Sequence, residues 1–466
     1  MNLKISFSFL FIMIFSFVAQ ADISLPAIFG NHMVLQQNAE VPFWGWARAT
    51  EEVTITTSWD GNTITTKGNP NAEWKVMLTT PSAGGPYTIT IKGYNTITLE
   101  DVMVGEVWLC SGQSNMEMSA NWGIDNKEEA IKTANHPNIR FFNVAQRTAN
   151  APQINLDGQW QVCTPETMQH TSAVAYFFGR ELAENLNVPI GLIHSSWGGS
   201  PAEAWVNTKV IEADEALASE AIKIQEMEWA PREPGKAYNA MLAPIIPFKI
   251  AGALWYQGET NTYSPSMYAR LLPALINNWR NEWGYAFPFY YVQIAPFKYG
   301  RPLEGAVLRD AQRRSMITPN TGMVVTSDIG NIDDIHPTNK LDVGLRLANW
   351  ALNKTYGKKD RPVSGPLFKN MEKEGKRMRI YFEFADNGLV VKGKQLTHFE
   401  IAGADQKFVP AKAKVEGNAV VVWAPKINEP HAVRFAFTNT AEPNLFNKEG
   451  LPASTFRTDD WEIVIE

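Results

Sequence analysis

The sequence predicts an α/β fold, a doubly wound parallel sheet flanked by N- and C-terminal β-sandwich-like regions. Three observations predict it. From about Val102 to Tyr356, strand-like runs alternate with helical periods, the pattern of a parallel sheet covered by helices on both faces. Before that stretch, apolar and polar residues alternate with period 2, as Tyr87, Ile89 and Ile91 do with Thr88, Thr90 and Lys92. After it the same alternation returns in Met378, Ile380, Phe382 and Phe384, and in Val433, Phe435 and Phe437, punctuated by Gly and Pro. The expected organisation is a leader over 1–21, a β domain over 22–101, an α/β domain over 102–357 and a β domain over 358–466.

The leader comes first. Lys4 gives a small positive start, Phe7 to Val18 is almost wholly apolar, and Ala19-Gln20-Ala21 supplies the small-x-small pattern of a cleavage site. The apolar run is shorter than the roughly 20 residues that span a bilayer, so a signal peptide is favoured over an anchor. The mature chain is expected to begin near Asp22, outside the cytoplasm, in the periplasm or the medium. In the first β region, Asp60-Gly61 between Thr54–Trp59 and Thr63–Thr66 reads as a tight hairpin.

In the central region the expected strands are Glu106–Cys110, Pro189–His194, Ile250–Tyr256, Pro288–Ile294 and Gly322–Thr326. One helix places Val174, Phe178, Leu182 and Leu186 on a single face, with Ser172 as N-cap. A second carries Tyr268, Leu271, Leu272, Leu275, Trp279 and Trp283, kinked or restarted by Pro273. A third starts near Thr338 and aligns Leu341, Leu345, Ala348 and Leu352. Ligands of such a sheet sit beyond the carboxyl ends of its strands.

Composition excludes several classes. Lys and Arg number 42 against 48 Asp and Glu, a net charge of −6, and no basic stripe suggests nucleic acid as a partner. After the leader no segment is apolar enough to span a membrane. Two cysteines, Cys110 and Cys163, are too few for a disulfide framework, and a buried thiol is the simpler reading of Cys110. Neither C-x-x-C nor H-E-x-x-H spacing occurs, so nothing points to a zinc site.

The chemistry concentrates in four segments, each after an expected strand. In Cys110-Ser111-Gly112-Gln113-Ser114-Asn115-Met116, Gly112 permits a tight turn and Ser114 follows at a helix start, among free backbone N–H groups. Ser114 reads as a nucleophile or as a simple N-cap; Met116 departs from the G-x-S-x-G elbow. The base is sought among His32, His136, His170, His194, His336, His398 and His431. His136 falls in an expected loop with Pro137, and His194 ends a strand, where a satisfied core histidine is the plainer reading. His336 follows the last expected strand, with Asp333 three residues before it, a spacing that lets the carboxylate meet Nδ1 while Nε2 faces the serine. The alternative makes Asp333 and Asp334 solvated loop charges or calcium ligands. Two further segments offer oxyanion donors: the glycine pair Gly198-Gly199, and Gln257, whose side-chain N–H₂ donates where a backbone amide does not reach. Either segment alone also reads as an ordinary turn.

At these residues the chain resembles the SGNH-type hydrolases and, among them, the sialate O-acetylesterase family. The matching stretches are Trp108 to Met118, Trp197-Gly198-Gly199-Ser200-Pro201-Ala202-Glu203-Ala204-Trp205, Trp255-Tyr256-Gln257-Gly258-Glu259-Thr260-Asn261 and Asp333-Asp334-Ile335-His336-Pro337, and the likeness covers nearly the whole mature chain. The resemblance implies an SGNH-hydrolase-like sheet, Ser114 as nucleophile, His336 as base and Asp333 as orienter. It implies an oxyanion hole from the Ser114 N–H, Gly198 or Gly199, and Gln257, where a Gln stands for the Asn of the family name. In Arg309-Asp310-Ala311-Gln312, Asp310 stands where the family carries Glu. Arg309 and Glu259 are candidate substrate contacts, Arg309 through a sialic carboxylate or else as a brace for a helix end. The implied activity is removal of O-acetyl groups from sialic acid through an acyl-enzyme, with no cofactor or metal. Acetylated xylan or another glycan is the alternative substrate, and a non-catalytic glycan-binding protein that uses some of the 16 Trp residues is the alternative function.

Overall fold

A computed structural model describes residues 22–465, so the leader expected over residues 1–21 lies outside the described residues. Six strands lie side by side in parallel in the order Thr321–Val324, Phe289–Val292, Gly252–Tyr256, Thr96–Gly112, Ile190–Ser196 and His136–Asn143, with Trp160–Cys163 antiparallel at the edge. The order reverses at Thr96–Gly112: the chain passes from it to the far strands of one side, returns to Ile190–Ser196 beside it, then crosses and builds outward on the other. That strand therefore ends at the crevice where such sheets bind ligands.

Alternation along the central strand divides the interior in two. Val107 and Leu109 enter a core with Trp255 and with Leu271, Leu275 and Trp279 of the helix Tyr268–Trp283. Trp108 and Cys110 enter another, with Val174, Phe178 and Leu182 of the helix Ala173–Leu186 and Leu347 of the helix Lys340–Trp350. Helices thus cover both faces, and a strand buried on both sides needs the nearly unbroken apolar run that this one has. Ser172 caps its helix as expected, accepting from Ala175 N at 3.1 Å. Pro273 neither ends nor restarts its helix; it lies in the second turn, where one lost backbone bond is tolerated.

Two elements depart from expectation. His136 and Pro137 open the strand His136–Asn143 instead of lying in a loop; Pro sits at its second residue, on the side of a register shift, where its missing N–H disrupts little. The third helix begins at Lys340, capped by Asn339, because Pro337 and the residues after it continue the loop.

The flanking regions are β-rich. In the first, Glu40–Trp46 pairs with Glu73–Thr79, while Glu52–Thr57, Thr63–Lys67 and Gly84–Lys92 form a sheet joined to Thr96–Gly112. The hairpin at Asp60-Gly61 is present, with Gly61 at φ +70° and Asp60 accepting from the Thr57 hydroxyl at 2.6 Å. Thr96–Gly112 is a single 17-residue strand whose first half completes this sheet and whose second half is the centre of the parallel sheet. The boundary expected between 101 and 102 falls inside it. The last region stacks Leu367–Glu374, Arg377–Glu383, Ala419–Trp423 and Lys412–Glu416 against a sheet containing Phe399–Ala402 and Ala432–Phe435, with Ile380, Val420, Ile401 and Phe435 in the shared core. Cys110 and Cys163 are both buried free thiols, and burial pushes the Cys163 thiol up to about 12. Among the described residues no helix is long and apolar enough to cross a membrane.

Candidate active site

The strand Thr96–Gly112 delivers Ser114 to the crevice through one sharp turn. Gly112 has φ +142°, and a Cβ there would stand 2.1 Å from the Tyr256 carbonyl oxygen, so only glycine lets the two strand ends approach. Gln113 N–H then donates to Tyr256 O at 3.0 Å, and Gln113 Oε1 accepts from the N–H groups of Gly258 at 3.3 Å and Thr260 at 3.2 Å. Ser114 opens the one-turn helix Ser114–Glu117, so its N–H has no acceptor within that helix. Its side chain is not spent as a cap.

Ser114 Oγ lies 2.8 Å from His336 Nε2, within hydrogen-bond reach across 222 residues of sequence. Burial lowers the imidazole pKa below its ordinary value, and the Lys340 ammonium lowers it further, against a smaller opposite pull from Asp334. The ring is therefore held neutral, the form that accepts the serine proton. Trp122 packs edge-on against it, with ring centroids 6.3 Å apart.

Asp333 does not meet His336. Its carboxylate pairs with Lys298 on the exposed surface. The nearer carboxylate is Asp334, with Oδ1 3.9 Å from Nδ1 and 2.9 Å from the His336 backbone N–H. The reason is local. Three-residue spacing aligns side chains on a helical turn, and this segment is an irregular loop in which the Asp334 side chain closes a two-residue turn. Asp328 is likewise committed, to Arg346 at 2.8 Å, so the aspartates of this stretch do not gather around one point.

The oxyanion candidates separate in the same way. Gly199 lines the cavity at φ +74°, and no acceptor among the described residues takes its N–H. Gly198 packs against Ser114, but its N–H donates to Glu117 Oε2 at 2.5 Å. Gln257 is 0% exposed and does not border the cavity. Its amide donates to Asn261 Oδ1 at 2.7 Å and accepts from the Tyr268 hydroxyl at 2.7 Å. Gln257 is thus a brace beneath the site, because its strand end points into the core. Arg309 is likewise removed from any substrate role: it is 1% exposed and donates to Thr455 Oγ1 at 3.0 Å and to the carbonyls of Asn439 and Thr438. It ties the helix Glu304–Arg314 to the last β region, the bracing alternative of its two readings. Glu259 borders the cavity, and burial raises its carboxyl above the usual range.

A buried network underlies the pair. Asn115 Nδ2 donates to Glu259 Oε1 at 2.6 Å and to the Ile335 carbonyl at 2.9 Å, while its Oδ1 accepts from Lys340 Nζ at 2.6 Å. Burial pushes the Lys340 ammonium down to about 7. Asn115 therefore stitches the serine turn to the residue before His336.

Above the pair is a cavity of about 460 Å³ walled by Trp122, Trp197 and Trp229. Trp122 and Trp229 are 51% and 61% exposed, large apolar faces left open to a ligand. Sequence reasoning did not single out Trp122, Trp229, Arg232 or Glu117 on this wall, nor Asn115 and Lys340 below it. Asn115 was within reach, being next to Ser114 in the same motif. The others carry no pattern that separates them from core or loop residues.

With this geometry in view, comparison with known proteins is informative. Residues 104–353 match the family described as carbohydrate esterase, sialic acid-specific acetylesterase. The chain is 31% identical to the sialate O-acetylesterase of Rattus norvegicus over 88% of each chain. It is 33% identical to that of Homo sapiens over 73% of each. The crystal structure of a carbohydrate acetylesterase from Xanthomonas citri is 36% identical and superposes with a TM-score of 0.86, covering 94% of this chain and 100% of the other.

Proposed function

This chain belongs to the carbohydrate esterase, sialic acid-specific acetylesterase family and is an ester hydrolase, and we propose that it is a sialate O-acetylesterase of SGNH type working through Ser114 and His336. The observation that carries the mechanism is the 2.8 Å contact between Ser114 Oγ and His336 Nε2 on the floor of an aromatic cavity. His336 takes the serine proton as Oγ attacks the acetyl carbonyl. Charge develops on the carbonyl oxygen, and the uncommitted N–H groups of Ser114 and Gly199 are assigned as its donors. His336 then returns the proton to the departing sugar oxygen. Water, activated by the same imidazole, releases acetate and restores the serine.

The charge facing Nδ1 in this arrangement is Asp334 at 3.9 Å, beyond hydrogen-bond length, so it acts on the ring through space. Asp333 takes the orienting role only by exchanging Lys298 for His336. The site chemistry uses no metal or cofactor.

Acetate release from 9-O-acetylated sialoside, acetylated xylan and an aryl acetate tests the reading, with the sialoside expected to give the highest kcat/KM. Preference for xylan would move the enzyme to the second reading, a polysaccharide acetylesterase. Export completes the proposal: the apolar run and Ala19-Gln20-Ala21 support a periplasmic or extracellular destination, and an N-terminus at Asp22 in the secreted protein is the expected finding.

A further inference from the structure

We propose that Arg232 is the specificity-determining residue of this site and binds the carboxylate of an anionic sugar substrate, an inference that rests on the sialate reading above. The charged residues bordering the Ser114–His336 cavity, besides the histidine, are Glu117, Glu259 and Arg232. Both carboxylates have internal donors: Glu117 accepts from Gly198 N–H at 2.5 Å and Gln146 Nε2 at 2.9 Å, and Glu259 from Asn115.

Arg232 is different. Among the described residues no carboxylate stands within ion-pair distance of it. Its Nε is buried with no hydrogen-bond partner, and its terminal nitrogen Nη2 reaches only the Met227 sulfur, at 3.5 Å, a weak acceptor. The acidic groups that act on it through space, Tyr263 and Glu203, are bonded to each other at 2.7 Å, and Glu203 also accepts from Asn261 at 2.9 Å. A half-buried guanidinium with an unspent fork of donors matches the two oxygens of a carboxylate.

Position limits where that carboxylate sits. Arg232, with Trp197 and Met227, also borders a second cavity of about 450 Å³. That outer cavity carries Glu226, Glu228 and Glu233, with Lys236 paired to Glu233 at 3.1 Å. Those three carboxylates are exposed, whereas the two that border the Ser114 cavity are held by internal donors, so the anion is assigned to the partition, on the side of Ser114. The sugar ring then lies against the tryptophans, with its acid on Arg232 and its acetyl ester on Ser114.

The test compares kcat/KM for 9-O-acetylated sialic acid and for its carboxyl methyl ester, within wild type and within Arg232→Gln and Arg232→Lys. Reading the ratio inside each protein removes any difference in folded fraction. Wild type is expected to prefer the free acid by at least about tenfold, mostly through KM. Arg232→Gln should bring the ratio close to one, and Arg232→Lys should leave part of it. A wild-type ratio near one, or a preference that survives Arg232→Gln, overturns the assignment while leaving the sialate reading in place. Failure of wild type on both sialates, with acetate released from acetylated xylan, overturns the sialate reading and this inference with it.

Discussion

The two segments that meet over the active site are held in opposite ways. The serine turn is fixed from inside: Gln113 is bonded to Tyr256, Gly258 and Thr260, and Asn115 to Glu259 and Lys340, all beneath the surface. The histidine loop is fixed from outside. Past the Asp328–Arg346 pair that anchors its start, Asp333 and Asp334 engage a surface lysine and the loop's own backbone, and the Asn115 amide on the Ile335 carbonyl is its buried tie to the serine. Buried, satisfied polar bonds hold geometry firmly, whereas exposed ion pairs contribute little. The nucleophile is thus preset, and the base is the adjustable partner.

That contrast can be broken at several points. The largest effect belongs to the preset side: Ser114→Ala should lower kcat for an aryl acetate by at least about 10³-fold with the fold retained, measured by acetate release and circular dichroism. Comparable turnover would remove the serine from the chemistry. Next comes the tie itself. Asn115→Leu strips Glu259 and Lys340 of a shared partner and should cost roughly 1–3 kcal/mol or more in denaturant unfolding, with kcat falling more than KM changes. Unaltered stability would mean the two segments are joined by other means.

On the base side, pH sharpens the comparison. Catalysis needs neutral imidazole, and burial with Lys340 lowers the His336 pKa. Activity should therefore persist below the reference value of about 6.5 and fall only as pH drops through the lowered pKa. An acid limb centred above about 6.5 would contradict the held-neutral histidine. The smallest effects separate the aspartates. Asp334→Asn should reduce kcat and shift that limb to still lower pH, since the pull that raises the pKa is lost. Asp333→Asn should change stability by less than about 0.5 kcal/mol, because its lysine pair is exposed. If Asp333→Asn instead removes most of the activity, the loop rearranges in the working enzyme and Asp333 is the orienter.

The sequence made the strongly periodic parts legible. Val174, Phe178 and Leu182 fall on one helix face, and the five expected central strands all occur, because burial on one or two sides leaves a plain apolar pattern. His136-Pro137 hid a strand because proline reads as a breaker even at a strand's tolerant end. Ser114 and His336 were legible as residue types after strands, and the fold brings them together. Gln257, Asp333 and Arg309 show what spacing leaves out: a side chain's direction. Gln257 points into the core, Asp333 to solvent and Arg309 into a seam between regions, each decided by packing that no local pattern encodes. Trp122, Trp229 and Arg232 were silent for the opposite reason. They lie on segments without periodicity, and an indole bound for a cavity wall looks in sequence like one bound for a core.

The strand Thr96–Gly112 has a consequence for anyone who would shorten this enzyme. One uninterrupted backbone runs from the rim of the first β region to the residue before the serine turn. A product begun at residue 102 would start in mid-strand and discard its Gly84–Lys92 and Val34–Gln36 neighbours. The catalytic part is therefore not a portable cassette: in fusions and expression designs, the leading β region travels with the nucleophile or the nucleophile loses its footing.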